Sequence, residues 1–253
     1  MKVEEALLEE LYGCHLAENY YERQQANHST ALVVIAALNE EEGIGPTIRE
    51  LRNTLDFPRI LVVDGHSRDR TVEVAKDLGA DVIFQGGLGK GDAISKALEL
   101  TQTHTCEHYV VLTDADFTYP AMYVPGMIKI LDEDSEVGMV CGNRFNGSSD
   151  SEAFRSEFYL GNKLLAFVHG FLNGVTLRDP LTGMRVIRAE LLKNCAVKSK
   201  GFDIEVELNS FVHKQGYKTV EVPIQYRQRL GEKKLKMKHG AEILGRMITE
   251  AML

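Results

Sequence analysis

Short apolar runs alternating with helical segments most constrain the fold of this chain. The runs Ala31–Leu38, Ile60–Val63, Asp81–Phe84 and Tyr109–Leu112 are dominated by aliphatic and aromatic residues. Between them the apolar spacing predicts helices over about 46–56, 69–78 and 90–101, the first entered through a turn marked by Gly43 and Pro46. Strands that read as unbroken apolar runs are buried on both faces. The expected fold is therefore α/β, a mostly parallel central sheet flanked by helices. In such sheets ligands bind beyond the carboxyl ends of the strands. Asn39-Glu40, Asp64 and Asp114 all stand at such ends, so three polar clusters are expected to converge on one cleft.

After Val137–Cys141 the rhythm changes. Helices are read over about 155–173 and 203–214, and strands near 184–187 and 219–224. Leu7, Leu8, Leu11 and Leu16 suggest an amphipathic helix within residues 3–25. This divides the chain into an N-terminal helical extension (1–30), the main α/β domain (31–230) and a basic, amphipathic C-terminal tail (231–253).

With 253 residues and a net charge of −8, the chain can bury a sizeable core and does not suit nucleic acid as a main partner. Cys14, Cys106, Cys141 and Cys195 are far apart, which argues against a disulfide scaffold or a structural zinc site and points to a reducing cytoplasm. The first residues, MKVEEALLEELYG, are acidic and do not read as a signal peptide. Phe158 to Leu177 is interrupted by Asn162, Lys163, His169, Gly170 and Asn173 and is too polar to read as a membrane span.

Asp114-Ala-Asp116 directly follows an apolar strand. Two carboxylates one residue apart at the mouth of a parallel sheet can hold a hard divalent cation, Mg2+ or Mn2+, against a diphosphate. The same pair on a solvated loop would mean little; its position after a buried strand favours the metal. In Asp64-Gly-His-Ser-Arg-Asp-Arg-Thr71 the carboxylate of Asp64 is available to a ribose or base edge, while Ser67 or Asp69 can cap the next helix. Gly86-Gly-Leu-Gly-Lys-Gly91 opens a helix and reads either as a flexible turn or as a phosphate loop, with Lys90 favouring an anion.

The order of these clusters resembles the family 2 glycosyltransferases and, within them, the dolichyl-phosphate mannose and glucose synthases. The resemblance rests on Leu38-Asn-Glu-Glu-Glu42, Val63-Asp-Gly-His-Ser-Arg-Asp69, Gly89-Lys-Gly91, Asp114-Ala-Asp116 and Gly142-Asn-Arg144. It continues through Asp179-Pro-Leu-Thr-Gly-Met-Arg185, Gly201-Phe-Asp-Ile-Glu205, Val220-Glu-Val-Pro223 and Arg229-Leu-Gly-Glu-Lys-Lys-Leu235. It implies a GT-A type nucleotide-binding fold, with residues 31–230 as the catalytic domain. Asn39, Glu40, Asp64, Lys90 and Asp114 would surround the donor, and Asp114 and Asp116 the metal. Arg144, Arg229 and Lys234 would face donor or acceptor phosphates, and Asp116, Arg185 and Asp179 are the implied catalytic positions. Two departures stand out: Ala36-Ala-Leu38 replaces a Pro-x-Tyr pattern, and Thr118 stands where many relatives carry glutamine.

The resemblance also implies an inverting transfer from a nucleoside-diphosphate sugar to a polyprenyl phosphate. A soluble hydroxyl acceptor, or a sugar-nucleotide-binding module without turnover, are the other readings. Arg227, Arg229, Lys233, Lys234, Lys236 and Lys238 precede a stripe of Ile243, Leu244, Met247, Ile248 and Met252. Cations followed by such a stripe suit the cytoplasmic face of a membrane as well as docking on the protein's own core. Leu160, Leu164, Phe167, Val168 and Phe171 form a second stripe with the same two readings. The expected protein is peripheral at that membrane face, with room for a separate membrane-anchoring subunit.

Overall fold

The structure, a computed structural model, describes residues 31–104, 107–145, 159–234, 236 and 239–253. The helix expected within residues 3–25 and the first residues of the one expected from about 155 lie outside them. The first half alternates β1 (Ala31–Ala37), α1 (Glu41–Thr54), β2 (Arg59–Asp64), α2 (Thr71–Asp77), β3 (Asp81–Phe84), α3 (Lys90–His104) and β4 (Tyr109–Asp114). There follow α4 (Val124–Glu133), β5 (Val137–Asn143), α5 (Tyr159–Asn173), β6 (Arg185–Arg188), α6 (Ala189–Leu192), α7 (Ile204–Lys214), β7 (Lys218–Pro223) and α8 (His239–Met252).

Among the described residues the strands form one seven-stranded sheet in the order β3-β2-β1-β4-β6-β5-β7. All pairings are parallel except those of β6, which runs antiparallel between β4 and β5. Within β1, Val33 and Ile35 enter the core beneath α1, and Leu32 and Val34 enter the core beneath α3 and α7. Because side chains alternate between the faces, a strand covered on both sides must be apolar at every position. That is why these strands appear as continuous runs.

The first helix begins at Glu41, ahead of the start expected at about residue 46, and runs through the turn expected at Gly43 and Pro46. The amides of Gly43 and Ile44 donate to the Glu40 carbonyl, which starts the helix. Gly43 serves packing rather than a turn. A Cβ there would lie 2.5 Å from the Ala115 carbonyl oxygen and 2.7 Å from Asp116 Cα, both backbone atoms. We therefore expect Gly43→Ala to push the Asp114–Asp116 segment out of place. Overpacking of about 1–3 kcal/mol exceeds the roughly 0.5–1 kcal/mol that alanine gains within a helix. Gly126→Ala, whose Cβ would meet nothing within 4 Å, is the control and should be neutral or stabilising. Equal melting temperatures and activities for the two variants would refute this packing argument.

The C-terminal helix α8 docks through Ile243 and Met247 on a small third cluster with Val206 of α7 and Leu165 and Val168 of α5. Leu244, Ile248 and Met252 remain exposed, so the stripe is divided between core and surface. Buried on the inner face of α5 is His169, whose Nδ1 accepts from Asn173 Nδ2 at 3.1 Å. Burial first, then the charges of Arg185 and His213, push its pKa down to about 4. The unfolded chain binds this proton near pH 6.5, so the neutral ring's contribution to stability is complete above that pH. It is lost as pH falls, levelling off below about pH 4 at roughly 3 kcal/mol. Melting curves of His169→Phe should lack that part of the slope; an unaltered slope would mean the ring titrates normally.

Candidate active site

A cleft of about 800 Å³ opens beyond the carboxyl ends of β1 and β4, and the segment after β7 crosses it. Of the residues expected from the sequence, Glu40, Lys90, Asp114, Asp116, Arg144, Arg229 and Lys234 line it. Asn39, Asp64, Asp179 and Arg185 are not part of its lining; Asn39 is exposed and the other three are buried.

The turns after β1 and β2 are laced together by polar side chains. Asp64 is fully buried, its oxygens accepting from the Ser67 amide at 2.7 Å and the Ser67 hydroxyl at 2.6 Å. That hydroxyl accepts in turn from the Asn39 amide at 2.8 Å, and Asn39 Oδ1 accepts from the Arg68 amide at 2.8 Å. Asp69 accepts from Thr71 and from the Glu41 amide, and Thr71 Oγ1 accepts from the Glu40 amide. The side chains of Asn39 and Asp64 thus brace the turn that presents Glu40.

The charged groups facing the cleft alternate in sign. Lys90 Nζ lies 2.6 Å from Asp114 Oδ1 and 2.7 Å from Glu205 Oε1. Burial opposes its charge, but the two carboxylates outweigh burial and raise its pKa. Arg229 bridges Asp116 at 3.1 Å and Glu40. Lys234 reaches the Asn39 carbonyl at 2.9 Å and Glu40 at 3.4 Å. Burial, then the nearby Asp114 charge, push Asp116 above the usual carboxylate range, with Thr118 and Arg229 working the other way. Thr118 donates to Asp116 Oδ1 through both its amide, at 3.2 Å, and its hydroxyl, at 2.6 Å. Thr118 therefore orients the aspartate.

Of the glycines after β3, Gly87, Gly89 and Gly91 pack against protein, while Gly86 stands in open space. A Cβ on Gly89 would collide with the Lys200 carbonyl and one on Gly91 with the Ser199 carbonyl, and the Gly87 amide donates to Asp92 at 2.7 Å. Of that loop, Gly89 and Lys90 line the cleft.

Asp179 is fully buried and holds Arg144 through both oxygens, each at 2.7 Å. Burial opposes the guanidinium charge, and the carboxylate more than compensates, holding the Arg144 pKa well above its ordinary value. Arg185 is buried and donates to the Pro180 carbonyl at 2.7 Å, the Thr182 carbonyl at 3.0 Å and Asn209 Oδ1 at 2.5 Å. It holds the 179–184 loop, where a Cβ on Gly183 would lie 2.6 Å from Asp114 Oδ2.

The sequence reading did not assign Glu205, Tyr119, Tyr226 or His239, all of which line the cleft. Glu205 could have been found as an acid in the first turn of α7, aligned with the end of the Gly201–Glu205 motif. The aromatic residues gave no such signal. Among the described residues no group of three or more histidine, cysteine or acidic side chains is arranged to hold a metal. Asp114 and Asp116 could hold a cation that takes its other ligands from phosphate and water, as magnesium commonly does. Such a cation would offset the burial and the Asp114 charge that raise the Asp116 pKa.

Residues 32–195 match the profile of the family described as Glycosyl transferase family 2. The chain is 34% identical to a dolichyl-phosphate hexose transferase of Haloferax volcanii over 223 residues, 87% of this chain and 93% of that one. It is 26% identical to a dolichol-phosphate mannosyltransferase of Pyrococcus furiosus over 214 residues, 81% of this chain and 59% of that one. Among solved structures, glucosyl-3-phosphoglycerate synthase of Mycobacterium tuberculosis, in complex with Mn2+, UDP and glucosyl-3-phosphoglycerate, superposes with a TM-score of 0.70. The match covers 90% of this chain and 82% of that one at 22% identity, which establishes a shared GT-A fold. The profile match and a relative similar over nearly its whole length agree with the resemblance carried by the ordered motifs: this chain belongs to glycosyl transferase family 2.

Proposed function

We propose that this glycosyltransferase moves a sugar, with inversion, from a nucleoside-diphosphate sugar to a polyprenyl phosphate at the cytoplasmic face of a membrane. The observation that carries the reading is the arrangement of charge in the cleft. Asp114 and Asp116 stand at the end of β4, paired with the cations of Lys90 and Arg229, and Lys234 and Arg144 line the same cleft. A diphosphate with a divalent cation would satisfy both signs together. The Haloferax volcanii relative, named for transfer to dolichyl phosphate, supports the acceptor class.

A Mg2+ or Mn2+ ion held by Asp114 and Asp116 would neutralise charge on the departing diphosphate. Arg229, released from Asp116 by that exchange, would turn to phosphate oxygens, which its planar fork suits. Arg144, fixed by Asp179, would present a cation whose position does not depend on the ligand. One acceptor phosphate oxygen would attack the anomeric carbon as the bond from that carbon to the diphosphate oxygen breaks, and the electron pair leaves with the nucleoside diphosphate. A phosphate monoester is mostly dianionic at neutral pH, its second pKa being about 6, so the acceptor needs no general base. The environment of the acids agrees: Asp179 is bound on both oxygens to Arg144, and Asp116 to Thr118 and Arg229. A hydroxyl acceptor would require one of them as a base.

The deciding experiment supplies radiolabelled UDP- and GDP-sugars with Mg2+ or Mn2+, with and without a short polyprenyl phosphate. Label entering the organic phase from one donor, and only with the acceptor, is the expected result. Metal-dependent release of nucleoside diphosphate with no lipid product would instead indicate a soluble acceptor. No turnover with any donor would point to a binding module.

A further inference from the structure

Two helices of this protein share an apolar surface that its own described core does not use. On α5, Leu160, Leu164, Phe167 and Phe171 are 76%, 63%, 72% and 79% exposed. Their spacing of four, three and four residues puts them on one helical face. The Phe167 and Phe171 rings are stacked with centroids 6.5 Å apart. The opposite face carries the buried Asn162 and His169. Alongside lies α8, joined to α5 by the Asn173 side-chain amide, which donates to the Met247 carbonyl at 3.1 Å. It buries Ile243 and Met247 and leaves Leu244, Ile248 and Met252 exposed.

Three further observations indicate what covers this surface. First, both helices begin at the cleft: Tyr159 and Leu165 of α5 and His239 and Ile243 of α8 are among its lining. Second, in a chain of net charge −8 the helix α5 contains no aspartate or glutamate, and its single charged residue is Lys163. The exposed Lys236 stands just before α8 and also lines the cleft. Third, α5 has 15 residues, about 22 Å of helix, against a hydrocarbon core of about 30 Å, and no helix among the described residues is long and apolar enough to cross a membrane. A short helix with an exposed aromatic and aliphatic face, little charge and basic neighbours lies in the plane of a bilayer surface.

We infer that the exposed faces of α5 and α8 form a membrane-docking surface that inserts into the outer acyl region of a phospholipid bilayer. It turns the cleft toward the lipid, and Lys163 and Lys236 lie at the headgroup level. The inference rests on the proposed polyprenyl-phosphate acceptor for its purpose and on the exposed side chains for its location. A prenyl chain stays in the bilayer, so its phosphate reaches Arg144 and Arg229 only if the rim of the cleft meets the membrane.

The test separates docking from chemistry. Vesicles of phosphatidylcholine, with and without phosphatidylserine and free of polyprenyl phosphate, are floated with wild type and with Phe167→Ser/Phe171→Ser. Wild type should float with the vesicles and the variant should do so at least tenfold less, while both transfer sugar equally to a short polyprenyl phosphate in detergent. The chain contains no tryptophan, so Phe171→Trp provides a single reporter independent of the serine variant. Its emission should shift to the blue with vesicles and be quenched by brominated lipid. Wild type that does not float, a serine variant that floats equally, or indole emission from Phe171→Trp that lipid leaves unchanged would each overturn the inference and leave the transfer reaction untouched. A dimer in sedimentation equilibrium that the serine variant dissolves, with no vesicle binding, would assign the face to a second copy and overturn it too. Vesicle binding without transfer from any donor would instead refute the proposed reaction and leave the docking surface standing.

Discussion

Asp116→Asn is expected to reduce sugar transfer about a thousandfold, ~4 kcal/mol of transition-state stabilisation, with little change in melting temperature. Asparagine keeps the oxygen that accepts from the Thr118 amide and hydroxyl but places an amide where Oδ2 meets Arg229 at 3.1 Å. Arg229 retains its ion pair with Glu40. The neutral side chain also escapes the burial and the Asp114 charge that push the Asp116 pKa up. These effects oppose one another, so the fold should be largely unaffected while a metal held there would lose one of its two proposed protein ligands. A second readout needs no turnover. Asp114 is already joined to Lys90 and Asp116 to Arg229, so a divalent cation arriving alone must displace a bound cation. A diphosphate arriving with it gives Lys90 and Arg229 new anionic partners. Free Mn2+, followed by electron paramagnetic resonance, should therefore bind weakly to the enzyme alone and at least tenfold more tightly when nucleoside diphosphate is present. Asp116→Asn should abolish the tightening. Wild-type transfer and wild-type Mn2+ binding in the variant would exclude Asp116 as a ligand.

The parts of this arrangement that were legible in the sequence are those set by short-range rules. The strands of the first half announce themselves because burial on both faces demands unbroken apolar runs, and the acids at their ends follow from strand direction. Less visible was the purpose of each small or polar residue. Gly43 reads as a turn signal, whereas its reason is the backbone of Ala115 and Asp116, distant in sequence, pressed against it. Gly89 and Gly91 read either as a flexible turn or as a phosphate loop, and only the fold brings the carbonyls of Lys200 and Ser199 against them. Asp64 reads as a donor ligand, yet its oxygens meet Ser67 in the turn that follows. In each case a motif fixes which residue is present, and the tertiary neighbours fix what it touches. The stripe on α8 shows the same limit. Its spacing was apparent, but only the position of α5 and α7 decides that Ile243 and Met247 turn inward while Leu244 and Ile248 do not.

Arg185 gives the other large expected effect, and it separates two roles that its motif leaves open. It is among the most deeply buried large side chains of the protein, and no carboxylate among the described residues forms an ion pair with it. Its oxygen acceptors are two backbone carbonyls and Asn209, all in or beside the 179–184 loop, and Nη1 also meets the weaker sulfur acceptors of Met139 and Cys141 on β5. Arg185→Met would remove those bonds at similar volume. Each buried acceptor left without a donor costs about 1–3 kcal/mol. Pro180 keeps a second donor in Asn209 Nδ2 at 3.0 Å, and removing an uncompensated buried charge returns part of the loss. The net destabilisation should be about 2–4 kcal/mol, lowering the melting temperature by roughly 5–15 °C. Activity should fall as well, because the loop carries Gly183 against the Asp114 carboxylate and Asp179 against Arg144. Arg185→Lys keeps the charge but replaces a planar fork with a single ammonium, which cannot span Pro180, Thr182 and Asn209 together. If Arg185 positions the loop, lysine should fail almost as badly as methionine, in melting temperature and in turnover alike. If it instead engages a phosphate directly, methionine should weaken binding of the donor without lowering the melting temperature, and lysine should restore much of that binding.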